Sequence, residues 1–235
     1  MPICLIQRIT LDENQAYDVL SKRKDGLIHE ERSISAVVTN NTGKDIQFKT
    51  VMKNGKEEVK NACLPAGFAV VIQADGEINV QVDKNGKPTH NKLYDLENPL
   101  SVETAFIMAA TRGLTLPNTA QIDAALFELS VDSSLADLPW VYAVSKGRVI
   151  PYRVDFQIDL AKPSWGPGGG QSMELDSCMV VNVLTNEVYC IGRSEFVMNW
   201  VQHKDQSLNA TDLWAKIPLI TEDQLSAMAV EEETE

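Results

Sequence analysis

The chain is poor in several kinds of residue. Of its 235 residues only three are histidine and four are cysteine. Lys and Arg number 21 against 33 Asp and Glu, which leaves a formal charge of −12. That deficit of cations argues against a general nucleic-acid binder, because neutralising phosphates takes a surplus of Lys and Arg. No run approaches the roughly 20 apolar residues that a membrane helix requires. The opening, MPICLIQRITLDE, turns acidic after a short apolar stretch, unlike a secretion signal. His29, His90 and His203 share no metal-ligand spacing with a Cys, a His or a carboxylate. There is no Walker loop, dinucleotide fingerprint, nucleophile elbow, zinc-protease helix or pair of CxxC knuckles. Together these absences point to a cytoplasmic protein with no metal or other cofactor, no membrane association and no recognised catalytic apparatus. The sequons Asn40-Asn41-Thr42 and Asn209-Ala210-Thr211 are then chance matches.

What is present is an ordinary globular balance, 44% apolar and 23% charged. The charge is unevenly placed. Residues 221–235 hold six carboxylates and no base, while residues 1–100 hold 13 basic and 14 acidic side chains. The acidic end reads as a solvated tail. The alternative is an acidic recognition tag or a partial DNA mimic; a mimic needs carboxylates arrayed over a folded face, and the body of the chain is too mildly charged for that.

The clearest pattern lies between residues 30 and 97. Residues 32–39 and 45–52 alternate and are rich in β-branched residues, with Asn40-Asn41-Thr42-Gly43 as the turn between them. Asn54-Gly55 and Asp75-Gly76 are hairpin signals, and Ile78, Val80 and Val82 alternate with polar residues. Short strands with a turn about every ten residues predict an antiparallel sandwich or small barrel. Asp12 caps a helix over 12–22, and the run from Ser21 to Arg32 reads as a loop. Ser101 and Asn118 each cap a further helix; Gln121 completes a capping box and Gly113 ends the first helix. These two helices read as a connector. β-structure returns at 139–145 and 148–158, where Pro151 suggests an edge strand or a bulge. Residues 178–184 and 187–193 read as a hairpin about Thr185-Asn186. Ser194, Asn209 and Thr221 then start short helices.

Four candidate chemistries follow. The glycine run Gly166-Pro167-Gly168-Gly169-Gly170 reads either as a loop or as a lid over a ligand with Trp165 as its aromatic contact. Arg148, Arg153 and Arg193 could form an anion site if strand 148–158 pairs beside the hairpin; otherwise they pair across strands with Asp155, Glu187 and Glu195. Cys178 or Cys190 with His203 is the best nucleophile arrangement available, set against simple core packing. A two-residue turn in the hairpin would place Cys190 opposite Val181 and Cys178 opposite Arg193, too far apart for a disulfide. Finally Trp140, Trp165, Trp200 and Trp214 all fall in the second half, as interface anchors or as core.

Residues 146–201 resemble the small β-rich PGDYG domain of bacterial and phage proteins. The likeness rests on KGRVIPYRVDFQI, ELDSCMVVN, NEVYCI and SEFVMNWV. At the naming motif only Asp176 corresponds, with Ser177-Cys178 in place of glycine-flanked aromatics. The resemblance implies a fold and carries no activity.

The reading is therefore an α+β chain in four parts. A β-sandwich-like or barrel-like domain spans 1–97 and a helical connector spans 98–137. A second β-rich domain with C-terminal helices spans 138–220, and an acidic tail spans 221–235. The function read from this is non-catalytic binding through protein–protein contact or self-association into an oligomer, in a phage or bacterial accessory protein. One alternative is a module for a small anionic ligand such as a nucleotide or phosphate, using Arg148, Arg153, Arg193, Trp165, Gly168 and Gly169. The other is a hydrolase with a Cys or Ser nucleophile.

Overall fold

The computed structural model describes residues 8–51, 57–73, 78–82, 85–131, 135–161, 171–173 and 175–225. The fold is α+β, and the chain forms two compact units. One is split in sequence: it takes the chain up to Glu31 and resumes at Gly147. The other, Arg32–Lys146, is inserted between those halves.

The split unit begins with β1 (Arg8–Asp12), α1 (Glu13–Ser21) and β2 (His29–Glu31). Asp12 caps α1 as its sequence dictates: its side chain accepts from the Gln15 amide while Gln15 reaches back to the Asp12 amide. α1 buries Ala16, Val19 and Leu20 on one face. Each large side chain so buried contributes about 1.5–3 kcal/mol.

The inserted unit contains β3 (Ile34–Thr39), β4 (Ile46–Val51), β5 (Glu57–Leu64), β6 (Ala69–Ile72) and β7 (Ile78–Val80). α2 (His90–Leu93), α3 (Val102–Arg112), α4 (Thr119–Leu129) and β8 (Trp140–Val144) follow. An antiparallel sheet runs β7-β6-β3-β8, and β4 pairs with β5. Alternation sends Ala36, Val38, Val70, Ile72 and Tyr142 into the larger core, with Ile46, Phe48 and Leu64 from the second sheet. The opposite face, with Val37, Val71 and Ala143, packs on Tyr94. This is a sandwich-like arrangement; among the described residues no sheet closes into a barrel.

Asn40 ties the end of the inserted unit's central strand to its neighbours. Its fully buried side chain donates to the Lys44 carbonyl at 2.7 Å and the Leu64 carbonyl at 2.9 Å. Its oxygen accepts from the Thr42 hydroxyl at 2.7 Å and the Thr42 amide at 3.2 Å. The Asn-Asn-Thr-Gly turn is thus built around a polar plug.

The remainder of the split unit is β9 (Arg148–Val154), β10 (Gln157–Ala161), β11 (Gln171–Met173), β12 (Ser177–Asn182) and β13 (Val188–Gly192). Then come α5 (Arg193–Asn199), β14 (Trp200–Gln202), α6 (Ala210–Ala215) and β15 (Leu219–Ile220). The main sheet runs β13-β12-β9-β2-β14, with β15 also on β9. One face packs on α5 and α6 through Phe196, Trp200 and Trp214. The other packs on α1 and the three-stranded sheet β1-β10-β11.

Four sequence expectations are corrected here. First, helices α3 and α4 are not a connector: Ala105, Ala109, Ile122 and Leu126 are part of the inserted unit's core. Second, the N-terminal residues do not belong with the following strands, because β1 pairs in parallel with β10 and β2 pairs with β9 and β14. The unit boundaries accordingly fall at 31/32 and 146/147 rather than at 97 and 137.

Third, β9 is a central strand. Arg153 donates its amide to the Pro218 carbonyl, and alternate residues donate to the same side, so the donor missing at Pro151 faces that side. β2 reaches only Val149 there and β15 starts only at Arg153, so nothing is left unpaired by the proline. Fourth, the 178–193 hairpin is shifted by two residues. Met179 opposes Cys190 and Cys178 opposes Ile191. The turn holds four residues, because Asn182 accepts from the Leu184 and Thr185 amides and Asn186 adopts a φ of 60°.

The Asn54-Gly55 and Asp75-Gly76 turns, Cys4, the glycine run and residues 226–235 of the acidic tail lie outside the described residues; at the start of that tail Leu225 is buried in the split unit's core and not solvated.

Candidate functional site

Strand register decides the arginine question. Arg148 and Arg153 stand five places apart on β9, an odd interval, so their side chains leave opposite faces about 17 Å apart. Arg148 pairs at 3.0 Å with Glu30, the residue opposite it on β2. Glu30 also holds the Nδ1 of His203 at 2.8 Å. The Arg153 Nε donates to the Ile217 carbonyl at 3.0 Å. Arg193 pairs with Asp176 at 3.3 Å and lies over the Trp214 ring, 5.5 Å from its centre. Arg148 is therefore not brought together with Arg153, while Arg153 and Arg193 both lie on the α6 side and each has its own partner. The Glu187 carboxylate accepts from the Thr185 hydroxyl at 2.6 Å. Trp165, Gly168 and Gly169 lie outside the described residues.

The cysteines have the surroundings of packing residues. Cys178 and Cys190 are both free thiols. They stand on adjacent strands, one register position apart, and so point to opposite faces of the sheet: Cys178 into the α5–α6 side, Cys190 into the α1 side. Burial pushes the Cys178 thiol well above its ordinary range and the Cys190 thiol up to about 12. A thiolate is disfavoured at both. The imidazole of His203 is held by Glu30 on β2, away from either sulfur. Among the described residues no three His, Cys, Asp or Glu side chains are grouped to hold a metal. No helix among them is long and apolar enough to cross a membrane.

Two histidines are buried, one in each unit. His29 directs Nδ1 at the Leu27 carbonyl, 2.8 Å away, and its ring meets Phe196 edge-on at 5.3 Å. His29 and Gln202 face each other across the β2–β14 pair, and His29 Nε2 and Gln202 Oε1 are buried without a hydrogen-bond partner among the described residues. Burial holds the His29 imidazole below its ordinary value of 6.5, against the opposing pull of the Leu27 carbonyl. Burial lowers His90 likewise. The folded state therefore binds fewer protons than the unfolded chain as the pH drops below 6.5, and stability falls with pH from there to the folded pKa. Urea titrations at about pH 7 and pH 5 are expected to show that loss, with a smaller loss in His29→Gln. An equal loss in the variant would remove His29 from this account. Asp25, held below the ordinary carboxylate value of 3.8 by the hydrogen-bonding Arg23 guanidinium, acts only at lower pH.

The remaining feature lies on the inserted unit's helices. Seven of the eleven residues of α3 are apolar, and seven of the eleven of α4, so both helices are apolar round most of their circumference. Such helices are ordinarily buried. Here only one face of each enters the core, and Val102, Phe106, Ile107, Phe127 and Val131 are left in solvent, with Phe127 70% exposed. Phe106 continues into a row of rings. It meets Tyr142 edge-on at 6.2 Å, and Tyr142 meets Trp140 edge-on at 5.2 Å. Tyr142 and Trp140 are two apart on β8 and so share a face. The Tyr142 hydroxyl donates to the Pro117 carbonyl, and the Trp140 indole donates to Asp123 of α4 at 3.0 Å. β8 thus locks an aromatic row between the two helices.

The sequence offered one signal for this surface: a polar face too narrow for a solvated helix. Of the four tryptophans, Trp200 and Trp214 are core residues of the split unit, while half-buried Trp140 belongs to this row. The chain matches no family model, no curated protein and no solved structure.

Proposed function

We propose that the protein is a non-catalytic binding module that docks another protein chain on the exposed faces of α3 and α4 and on the Phe106 and Trp140 rings that flank the buried Tyr142. The observation that carries this reading is the exposure of Phe106, Ile107 and Phe127 on helices apolar nearly all round. Exposed apolar clusters rimmed by polar residues mark interaction surfaces. Aromatic anchors are the side chains that contribute most to such interfaces. The partner is a different protein or a second copy, which would make an oligomer. Free thiols at Cys63, Cys178 and Cys190 support a cytoplasmic location. The resemblance of residues 146–201 to the PGDYG domain would place the chain among bacterial or phage accessory proteins.

The test compares the full chain with a Phe106→Ala, Phe127→Ala variant of unchanged melting temperature. Quantitative capture and sedimentation are expected to show a partner, or self-association, weakened about 30-fold in the variant, the loss typical of a hot spot worth about 2 kcal/mol. Identical capture and assembly by both proteins would overturn the reading.

A further inference from the structure

The stretch of chain that carries the proposed docking surface is acidic. Residues 95–145 hold seven Asp and Glu and a single basic residue, Arg112. Three of the carboxylates stand among the exposed apolar side chains. At 100° per residue, Glu103 falls between Phe106 and Ile107 on α3. Asp123 lies one turn before Phe127 on α4, at the end of the aromatic row, where the Trp140 indole fixes it. Glu128 follows Phe127 directly. All three are exposed, and among the described residues none has a Lys or Arg partner.

We infer that the occupant of this surface is a basic amphipathic segment of a partner protein, one that carries large apolar residues and Lys or Arg on the same face. Two features require both properties at once. The exposed Phe and Ile side chains need apolar groups to cover them. Covering them also brings Glu103, Asp123 and Glu128 towards the interface, where an uncompensated carboxylate opposes binding and a cation offsets that cost. The Trp140 ring, hydrogen-bonded to Asp123, and the Phe106 ring, one turn from Glu103, add aromatic groups that attract cations. An acidic partner, an anionic lipid surface and nucleic acid are all repelled. This rests on the docking reading above and adds the charge of the partner to it.

The probe is a dye-labelled 18-residue helical peptide of Leu and Lys, titrated with the full chain by fluorescence anisotropy. A Leu/Glu peptide of the same pattern and a Leu/Lys peptide of shuffled pattern are the comparisons. Binding of the patterned Leu/Lys peptide alone is expected, weakening at least tenfold in Glu103→Lys, Glu128→Lys. It should weaken at least fivefold in Phe106→Ala, Phe127→Ala. Asp18→Lys, Asp223→Lys makes the same charge change on the split unit and is expected to change affinity less than twofold. Equal weakening by both lysine pairs would reduce the effect to general attraction and overturn the inference. So would equal binding of the shuffled peptide, or no binding. If the phenylalanine pair loses a captured partner while the Glu103/Glu128 pair keeps it, the docking reading stands and the partner is not basic.

Discussion

Phe196→Ala is expected to lower the stability of the split unit by about 3–5 kcal/mol, the range for removing a buried aromatic side chain. Phe196 has no solvent exposure. Three rings close around it: Trp200 stacks at 6.1 Å with planes 8° apart, Trp214 meets it edge-on at 6.1 Å, and His29 meets it edge-on at 5.3 Å. These rings come from α5, β14 and α6, which follow one another along the chain, and from β2, which lies near the opposite end of the sequence. Rigid rings cannot collapse into the space left by a missing benzyl group, so the cavity persists and adds to the lost transfer energy. Urea unfolding followed by tryptophan emission reads the result directly, since Trp200 and Trp214 line the site. Phe196→Leu keeps much of the volume and is expected to cost under about 1.5 kcal/mol. A loss below about 1 kcal/mol in the alanine variant would mean that the four elements do not meet at this ring.

The second large effect is expected at Asn40 in the inserted unit. Asn40→Ala removes the donors to the Lys44 and Leu64 carbonyls and the acceptor for Thr42. An orphaned buried polar group costs roughly 1–3 kcal/mol. The Leu64 carbonyl is buried, and its loss alone places the variant in that range. Asn40→Asp separates the two halves of the network. A carboxylate still accepts from Thr42 but points negative oxygen at two carbonyls, so it should destabilise at least as much as alanine. Melting curves that rank Asp with wild type would show that the acceptor contacts matter and the donor contacts do not.

Much of the local structure was legible in the sequence because its causes are local. Asp12, Ser101, Asn118 and Asn209 all cap helices, each accepting from the amide three residues on, and Gly113 ends α3 in the left-handed region. The strands of the inserted unit followed their alternation. What failed were inferences needing a partner distant in sequence. The 178–193 register slipped by two because the Asn182 side chain builds a four-residue turn, which a Thr-Asn pair read alone does not announce. Pro151 suggested an edge because the division of one β9 flank between β2 and β15 cannot be read from a single strand. The arginine site depended on three side chains sharing a face, and the odd interval between Arg148 and Arg153 already opposed it. The helical surface is illegible for the opposite reason: caps mark the starts of α3 and α4 but do not say which faces the fold covers.

Local residue order sets where helices start and stop, which segments are pleated, and the excess of negative charge. These properties follow from caps, periodicity and composition, all written within a few residues of where they act. Tertiary packing set the joining of the N-terminal residues to the C-terminal sheet, the exit of Arg148 and Arg153 from opposite faces of β9, and the exposure of Phe106 and Phe127. Pairing and burial depend on which distant segments compete for the same edge or face, and that competition is settled by the packing of the whole unit.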